Sequence, residues 1–405
     1  MTSSHPQPRH RHGGFTLIEL MVALALSLIL AVALLVMQAN LGKNTMRNSD
    51  VGVRDVQGRA AMDLMTQDIS SAGFLFGGTR NLCATVMTYN GTGYYIHHSV
   101  DGLAAANGTA LNFAASQTLD YPPTSSTVPS DVLVTTLTSS GSSLGAALVP
   151  VNPDPTNSPL TTGSLPLTST TGMAAADVGI AQAPMNSRLA CMRVTLTGIT
   201  SSAVQSSSTT YSGYATQVAG AGYTGSLTNA EFYAGGAFAD FGPPAAVAAP
   251  NVPPYATIAY YVSNNGGSSY PVLMRGVYNL LDDTQSYAQP VAAGVVSLQV
   301  RFGVDTTGTG LVTPPYLTAA AVTTAKQWDL VRSVRIAIVM RSLVDDPDPT
   351  YYWTPTAATP GTAATATTAG SVTPGGAFTS VPVPIGSKRR YLLQQTEVAT
   401  RNLLW

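Results

Sequence analysis

The chain has 405 residues, 45% of them hydrophobic and only 10% charged, where an ordinary soluble domain carries about 25% charge. Its 19 basic and 20 acidic side chains leave a net charge of −1. That disfavours a nucleic-acid binder relying on a basic surface and excludes an acidic disordered tail; the length allows about two or three domains. Met1 to Gly14 is short and polar, with Arg9, Arg11 and three histidines, His5, His10 and His12. Phe15 to Met37 follows with Glu19 as its single charge. As a helix this run is about 34 Å long, enough to cross a bilayer core of about 30 Å. The basic flank comes first, so the positive-inside rule expects a cytoplasmic N-terminus and the rest of the chain across the membrane. A carboxylate inside a membrane helix is costly and marks a functional site by default. Glu19 either snorkels at the membrane edge or awaits a positive partner in an assembly.

Helical spacing continues past the span. Val53, Val56, Ala60 and Leu64 recur at three- and four-residue steps, and Ala61, Met65, Ile69 and Ala72 extend the stripe. Arg54, Asp55, Arg59, Asp63 and Asp68 are assigned to the opposite side. The apolar stripe is expected to pack on the domain that follows. Gly73 is a stop signal, and Gly42, Gly52 and Gly58 weaken the helix and mark expected kinks.

After Gly73 the pattern turns to β. Residues 132–137 and 193–196 are strand-like, and 257–262 with 270–275 flank a hairpin signal at Ser263-Asn264-Asn265-Gly266-Gly267. Val296, Leu298, Val300, Phe302 and Val304 alternate with polar residues, which predicts a half-buried antiparallel strand. Val334, Ile336, Ile338 and Met340 repeat the pattern with Arg335 and Arg341 on the other face, and 389–401 reads as a final strand. Residues 121–176, 200–230 and 345–384, rich in Ser, Thr, Gly, Pro or Ala, read as surface loops or disorder. One long helix followed by many strands argues an α+β fold.

Cys83 and Cys191 are the only cysteines. In an oxidising compartment they can form one disulfide; the alternative is two buried thiols. Two cysteines without C-x-x-C spacing give no zinc signature. Gly141-Ser142-Ser143-Leu144-Gly145 matches a serine-hydrolase elbow but is followed by prolines where the elbow needs a helix. Gly220-Ala221-Gly222-Tyr223-Thr224-Gly225 lacks a βαβ context. His97 and His98 are adjacent and would point to opposite faces of a strand. Asp345, Asp346 and Asp348 sit among prolines, and Asp305 lacks the further carboxylates of a calcium loop. Nothing in the sequence supports an enzyme; no metal and no cofactor are expected.

Gly14-Phe15-Thr16-Leu17-Ile18-Glu19-Leu20, after a basic leader and before an apolar run, resembles the type IV prepilin signal. A secretory signal peptide has a shorter apolar core and small residues before its cut, and a plain signal anchor leaves the Gly-Phe-Thr-Leu-Ile-Glu sequence unexplained. The resemblance implies cleavage by a prepilin peptidase between Gly14 and Phe15, methylation of the new Phe15 amine, and pairing of Glu19 with a neighbouring subunit's amine. Residues 59–74, 295–305 and 328–342, with the closing Arg389-Arg390-Tyr391 to Arg401-Asn402, resemble minor pilins of the PilW family. The resemblance does not extend over residues 85–250.

It implies a leader (1–14), a helix (15–73, membrane-spanning at 15–37) and a periplasmic globular domain (74–405): a type IV pilin-like α+β fold, with the helix packed on antiparallel sheet. It further implies a minor pilin that helps to initiate pilus assembly near the tip, held in the inner membrane until then. The implied partners are other minor pilins and the major pilin through the N-terminal helix, the prepilin peptidase, and a large tip-associated adhesin. Three alternatives stay open: a minor pseudopilin of type II secretion, a tip-displayed adhesin whose loops bind a ligand, and a DNA-uptake pilin, which the low basic content disfavours.

Overall fold

The computed structural model describes residues 16–72, 85–89, 94–98, 100–103, 130–138, 148–151, 163–185, 188–206, 235–243, 255–263, 270–279, 285–312, 314–325, 327–343, 370–372, 378, 381–383 and 389–400. The first element, α1 (Leu17–Ser70), is one helix of 54 residues without a break. The glycines expected to kink it lie within it. A side-chain carbon added at Gly42 or Gly52 would meet nothing within 4 Å, whereas one at Gly58 would run into the Gln394 side chain.

The strands follow as β1 (Thr85–Tyr89), β2 (Tyr94–His98), β3 (Val100–Leu103), β4 (Val132–Thr138), β5 (Leu148–Pro150), β6 (Ser164–Pro166), β7 (Val178–Met185), β8 (Arg188–Thr195), β9 (Gly198–Ile199), β10 (Ala203–Gln205) and β11 (Ala237–Asp240). Then come β12 (Tyr255–Ser263), β13 (Val272–Asn279), β14 (Gln285–Ala293), β15 (Val295–Val304), a short helix α2 (Ala319–Ala325), β16 (Val331–Arg341), β17 (Gly370–Val372), β18 (Val381–Val383) and β19 (Tyr391–Ala399). Two sheets position the functional features: a five-stranded one ordered β14-β13-β12-β4-β3 and a three-stranded one ordered β15-β16-β19. A six-stranded sheet, β2-β1-β8-β7-β11-β5, contains the parallel pair β1 and β8. β4 matches the strand read at 132–137, but further strands fall within the Ser/Thr/Gly-rich stretches read as loops: β5 and β6 in 121–176, β10 in 200–230, β17 and β18 in 345–384.

The chain divides into two compact units, one ending at Val53 and the other beginning at Arg54. In the first, the side chains of α1 are exposed from Leu17 to Met37, with Leu17 at 78%. The helix is long and apolar enough to cross a membrane. In the second, Ala61, Met62, Met65, Ile69 and Ala72 of α1 enter one core with Leu133, Ile258, Tyr260 and Leu273 of the five-stranded sheet. Leu298, Val300, Phe302, Ile336, Ile338 and Met340 of the three-stranded sheet complete it. Phe302 meets Trp328 edge-on with centroids 4.9 Å apart, a favoured aromatic geometry.

Two expectations are corrected. The domain does not take the Val53, Val56, Ala60 stripe: Val53 and Val56 are 50% and 67% exposed, Ala60 is exposed, and Leu64 is half-buried. It takes the later part of the expected stripe, Ala61, Met65, Ile69 and Ala72, together with Arg54, Gly58 and Asp68, all buried. Arg54 and Asp68, assigned to the solvent side, are buried because the sheets supply partners for both charges. Likewise β15 is not half-buried. Its polar side chains Ser297, Gln299 and Arg301 are buried too: Arg301 is paired with Asp131 and stacked on the Phe378 ring.

Candidate functional site

The helix start is the first site. Thr16 and Glu19 form a reciprocal cap: the Glu19 carboxylate accepts from Thr16 N and Thr16 Oγ1, both at 3.0 Å, and Glu19 N donates to Thr16 Oγ1 at 3.3 Å. This is the Ser/Thr-x-x-Glu capping box, in which two otherwise orphaned helix-terminal groups satisfy each other. The pattern Thr16-Leu17-Ile18-Glu19 is in the sequence, and the membrane argument alone missed it. A carboxylate in the first turn also opposes the positive end of the helix dipole. Glu19 is exposed, so it is open to another cation. Gly14 and Phe15 lie outside the described residues.

The second site fixes α1 to its domain. Arg275 on β13 pairs with Asp68, Nε to Oδ2 at 3.0 Å and Nη2 to Oδ1 at 3.4 Å. The Tyr260 hydroxyl on β12 donates to Asp68 Oδ2 at 2.5 Å, and Arg275 Nε also reaches the Tyr260 oxygen at 3.2 Å. All three residues are buried. Burial opposes the Arg275 charge, but its bonds to Asp68 and Tyr260 outweigh that and raise its pKa above the ordinary range. Burial first, and then the neighbouring Asp68 carboxylate, pushes the Tyr260 hydroxyl up as well. The triad is therefore a fixed ion pair with a neutral phenol, a device for register rather than proton transfer. About four turns earlier on α1, Arg54 Nη1 donates to the Arg390 carbonyl at 3.1 Å, and Gln394 Nε2 donates to the Asp55 carboxylate at 3.1 Å. No sequence signal singled out Tyr260 or Arg275.

On the outer face of the three-stranded sheet, Arg301 and Arg335 are direct cross-strand neighbours. Like charges in that position repel. Each is offset by an acid, Asp131 on Arg301 and Glu397 on Arg335, both at 2.9 Å. Tyr316 lies 3.8 Å from the Arg335 guanidinium and its hydroxyl bonds Glu397. Burial pushes the Glu397 carboxyl up, but its bonds to Tyr316, Arg335 and Ser333 more than reverse this and hold it below the usual range. Asp305 heads a turn, as read from the sequence: its carboxylate accepts from Thr307 N, Thr307 Oγ1, Thr309 N and Gly310 N.

Among the described residues no group of three or more His, Cys, Asp or Glu is arranged around a metal. Cys191 is buried on β8 and disulfide-bonded, while Cys83 lies outside the described residues. So do Gly141 to Gly145, Gly220 to Gly225 and Asp345 to Asp348. His97 and His98 sit on β2 as expected of neighbours on a strand.

A helix able to span a membrane, capped at its start, followed by a domain of predominantly antiparallel sheet, is an α+β arrangement consistent with a type IV pilin-like fold. Residues 9–35 match the prokaryotic N-terminal methylation motif, and residues 259–402 match the family described as Type IV Pilus-assembly protein W. Over these residues the chain is similar to PilW-like type IV pilins, and its N-terminal helix is suited to membrane anchoring. The second match contains Tyr260, Arg275 and β13 to β19, so it covers the sheet side of the anchor and not Asp68. No curated protein and no solved structure matches the chain.

Proposed function

We propose that this chain is a minor pilin, a structural subunit that helps to initiate type IV pilus assembly and sits near the pilus tip. The observation that carries the reading is the exposed apolar face of α1 beginning at the Thr16–Glu19 cap, inside the methylation motif. The leader is cut between Gly14 and Phe15 on the cytoplasmic side, and the Phe15 amine is methylated. The span then rests in the inner membrane with the globular unit in the periplasm. On assembly the helix leaves lipid for other pilin helices, minor and major. Glu19 then meets a neighbouring subunit's amine, an ion pair that is strong in low dielectric. Cys83 pairs with Cys191. A large tip-associated adhesin is a further partner. The role is packing, without catalysis. Type II secretion pseudopilins share the signal, and the match over residues 259–402 favours the pilus.

The test separates the two uses of Glu19. A Gln at the third helical position preserves the capping box but removes the charge. Glu19→Gln and Glu19→Ala are each expected to lower incorporation into sheared pili at normal membrane levels. Normal incorporation of Glu19→Gln would show that the cap, and not the charge, is required.

A further inference from the structure

We infer that the outer edge of β19 is a docking site for an extended, uncharged strand of another protein subunit. The observation is backbone geometry. Ser342 N bonds the Arg390 carbonyl and Thr400 N bonds the Arg332 carbonyl, bracketing the β16 to β19 ladder. Ladder bonds recur at every second residue of an antiparallel pair. The even-numbered residues of β19 therefore bond inward to β16. Tyr391, Leu393, Gln395, Glu397 and Ala399 turn their N–H and C=O groups away from it. No backbone partner of these five groups is found on the outer side among the described residues.

Two long edge strands, β15 and β14, are protected. On β15, Leu298 N donates to Ser130 Oγ, Val300 N to Asp131 Oδ2 and Phe302 N to the Leu317 carbonyl. β14 carries Pro290 and two register shifts against β13. Prolines, bulges and capping side chains are the usual protection of an edge. β19 has nine residues, no proline and no register shift. An open row of this kind pairs with an added strand.

The side chains say what kind. Glu397 is the only charge on β19 and is already held by Arg335. Leu393 extends an apolar patch with Tyr391, Val296 and Val339. The chain that fits is an uncharged segment, aliphatic beside Leu393 and Ser- or Thr-like beside Gln395. A charged strand would desolvate its charge without a partner. This surface lies on the globular unit and does not depend on the helix-assembly reading.

Full-length protein in detergent micelles is mixed with a nine-residue peptide of alternating Thr and Val, and amide exchange is followed by NMR. Exchange at Leu393, Gln395 and Glu397 is expected to slow at least tenfold. Leu392, Gln394 and Thr396, already bonded to β16, are expected to stay unchanged. Gln395→Pro removes an outward N–H and spares the ladder; it is expected to abolish the peptide effect. Gln395→Lys, which charges the edge, serves as a second variant if the proline impairs folding. No slowing, or equal slowing by a peptide N-methylated at alternate amides, would overturn the proposal. Slowing with protein concentration alone, lost in Gln395→Pro, would also overturn it, by showing that a second copy fills the edge.

Discussion

Among the described residues, Asp68 is the one carboxylate bonded to Arg275 and Tyr260 in the buried anchor. Asp68→Ala leaves a guanidinium uncompensated in the interior, an effect of about 3–5 kcal/mol when one partner of a buried pair is removed. The freed Tyr260 hydroxyl adds a cost of about 1–3 kcal/mol unless water enters to meet it. Against a total stability of about 5–15 kcal/mol for a domain, the variant should be close to unfolding or should release the end of α1. Tyr260→Phe, which removes one bond to a charged group, should cost only about 1.5–3 kcal/mol. The double change Asp68→Leu with Arg275→Met removes both charges and should fall near the wild type. Urea unfolding of the full chain in detergent, with amide exchange over residues 61–72, reads all three. A cost below about 1 kcal/mol for Asp68→Ala would refute the claim that this triad sets the helix on its domain. A double variant as damaged as Asp68→Ala would do the same.

The helix glycines and one strand-end acid give further outcomes. Gly52→Ala meets no neighbour and should stabilise the helix by up to about 1 kcal/mol, read as slower amide exchange around residue 52. Gly58→Ala should lose that gain, because its methyl group displaces Gln394 from Asp55. Burial, with the nearby Asp177 charge also contributing, raises the Asp240 carboxyl above its ordinary value of 3.8 although Gly242 N donates to it. A raised folded pKa means that the folded state holds the proton more tightly, so ionised Asp240 costs stability at neutral pH and the cost disappears as pH falls below that value. Asp240→Asn should therefore raise the melting temperature at pH 7 and leave it unchanged at pH 3.

Much of the fold was legible because it follows from periodicity. The 3.6-residue pattern carried α1 from the span to its end at Ser70, and the two-residue alternation located β15 and β16. The choice of helix face was legible only in part. The pattern located Ala61, Met65, Ile69 and Ala72, which are buried, but it also favoured Val53 and Val56, which are exposed. The buried face instead includes Arg54 and Asp68, charges that bond to residues more than 200 positions later. Sequence shows a charge but not its distant partner. The same limit hid Arg301, which alternation reads as a solvent-facing residue. At the candidate site, Glu19 was legible from its cost in lipid, while its second use as a cap was present in the Thr16-x-x-Glu19 spacing. The β19 edge needed the ladder register, which only the fold supplies.

The proposed processing at Phe15 can be read by mass spectrometry of the protein purified from its native host. The expected result is a chain that begins at Phe15 with one methyl group on its amine. A chain that retains the leader, or one cut after residue 37 as a secreted protein would be, would contradict it.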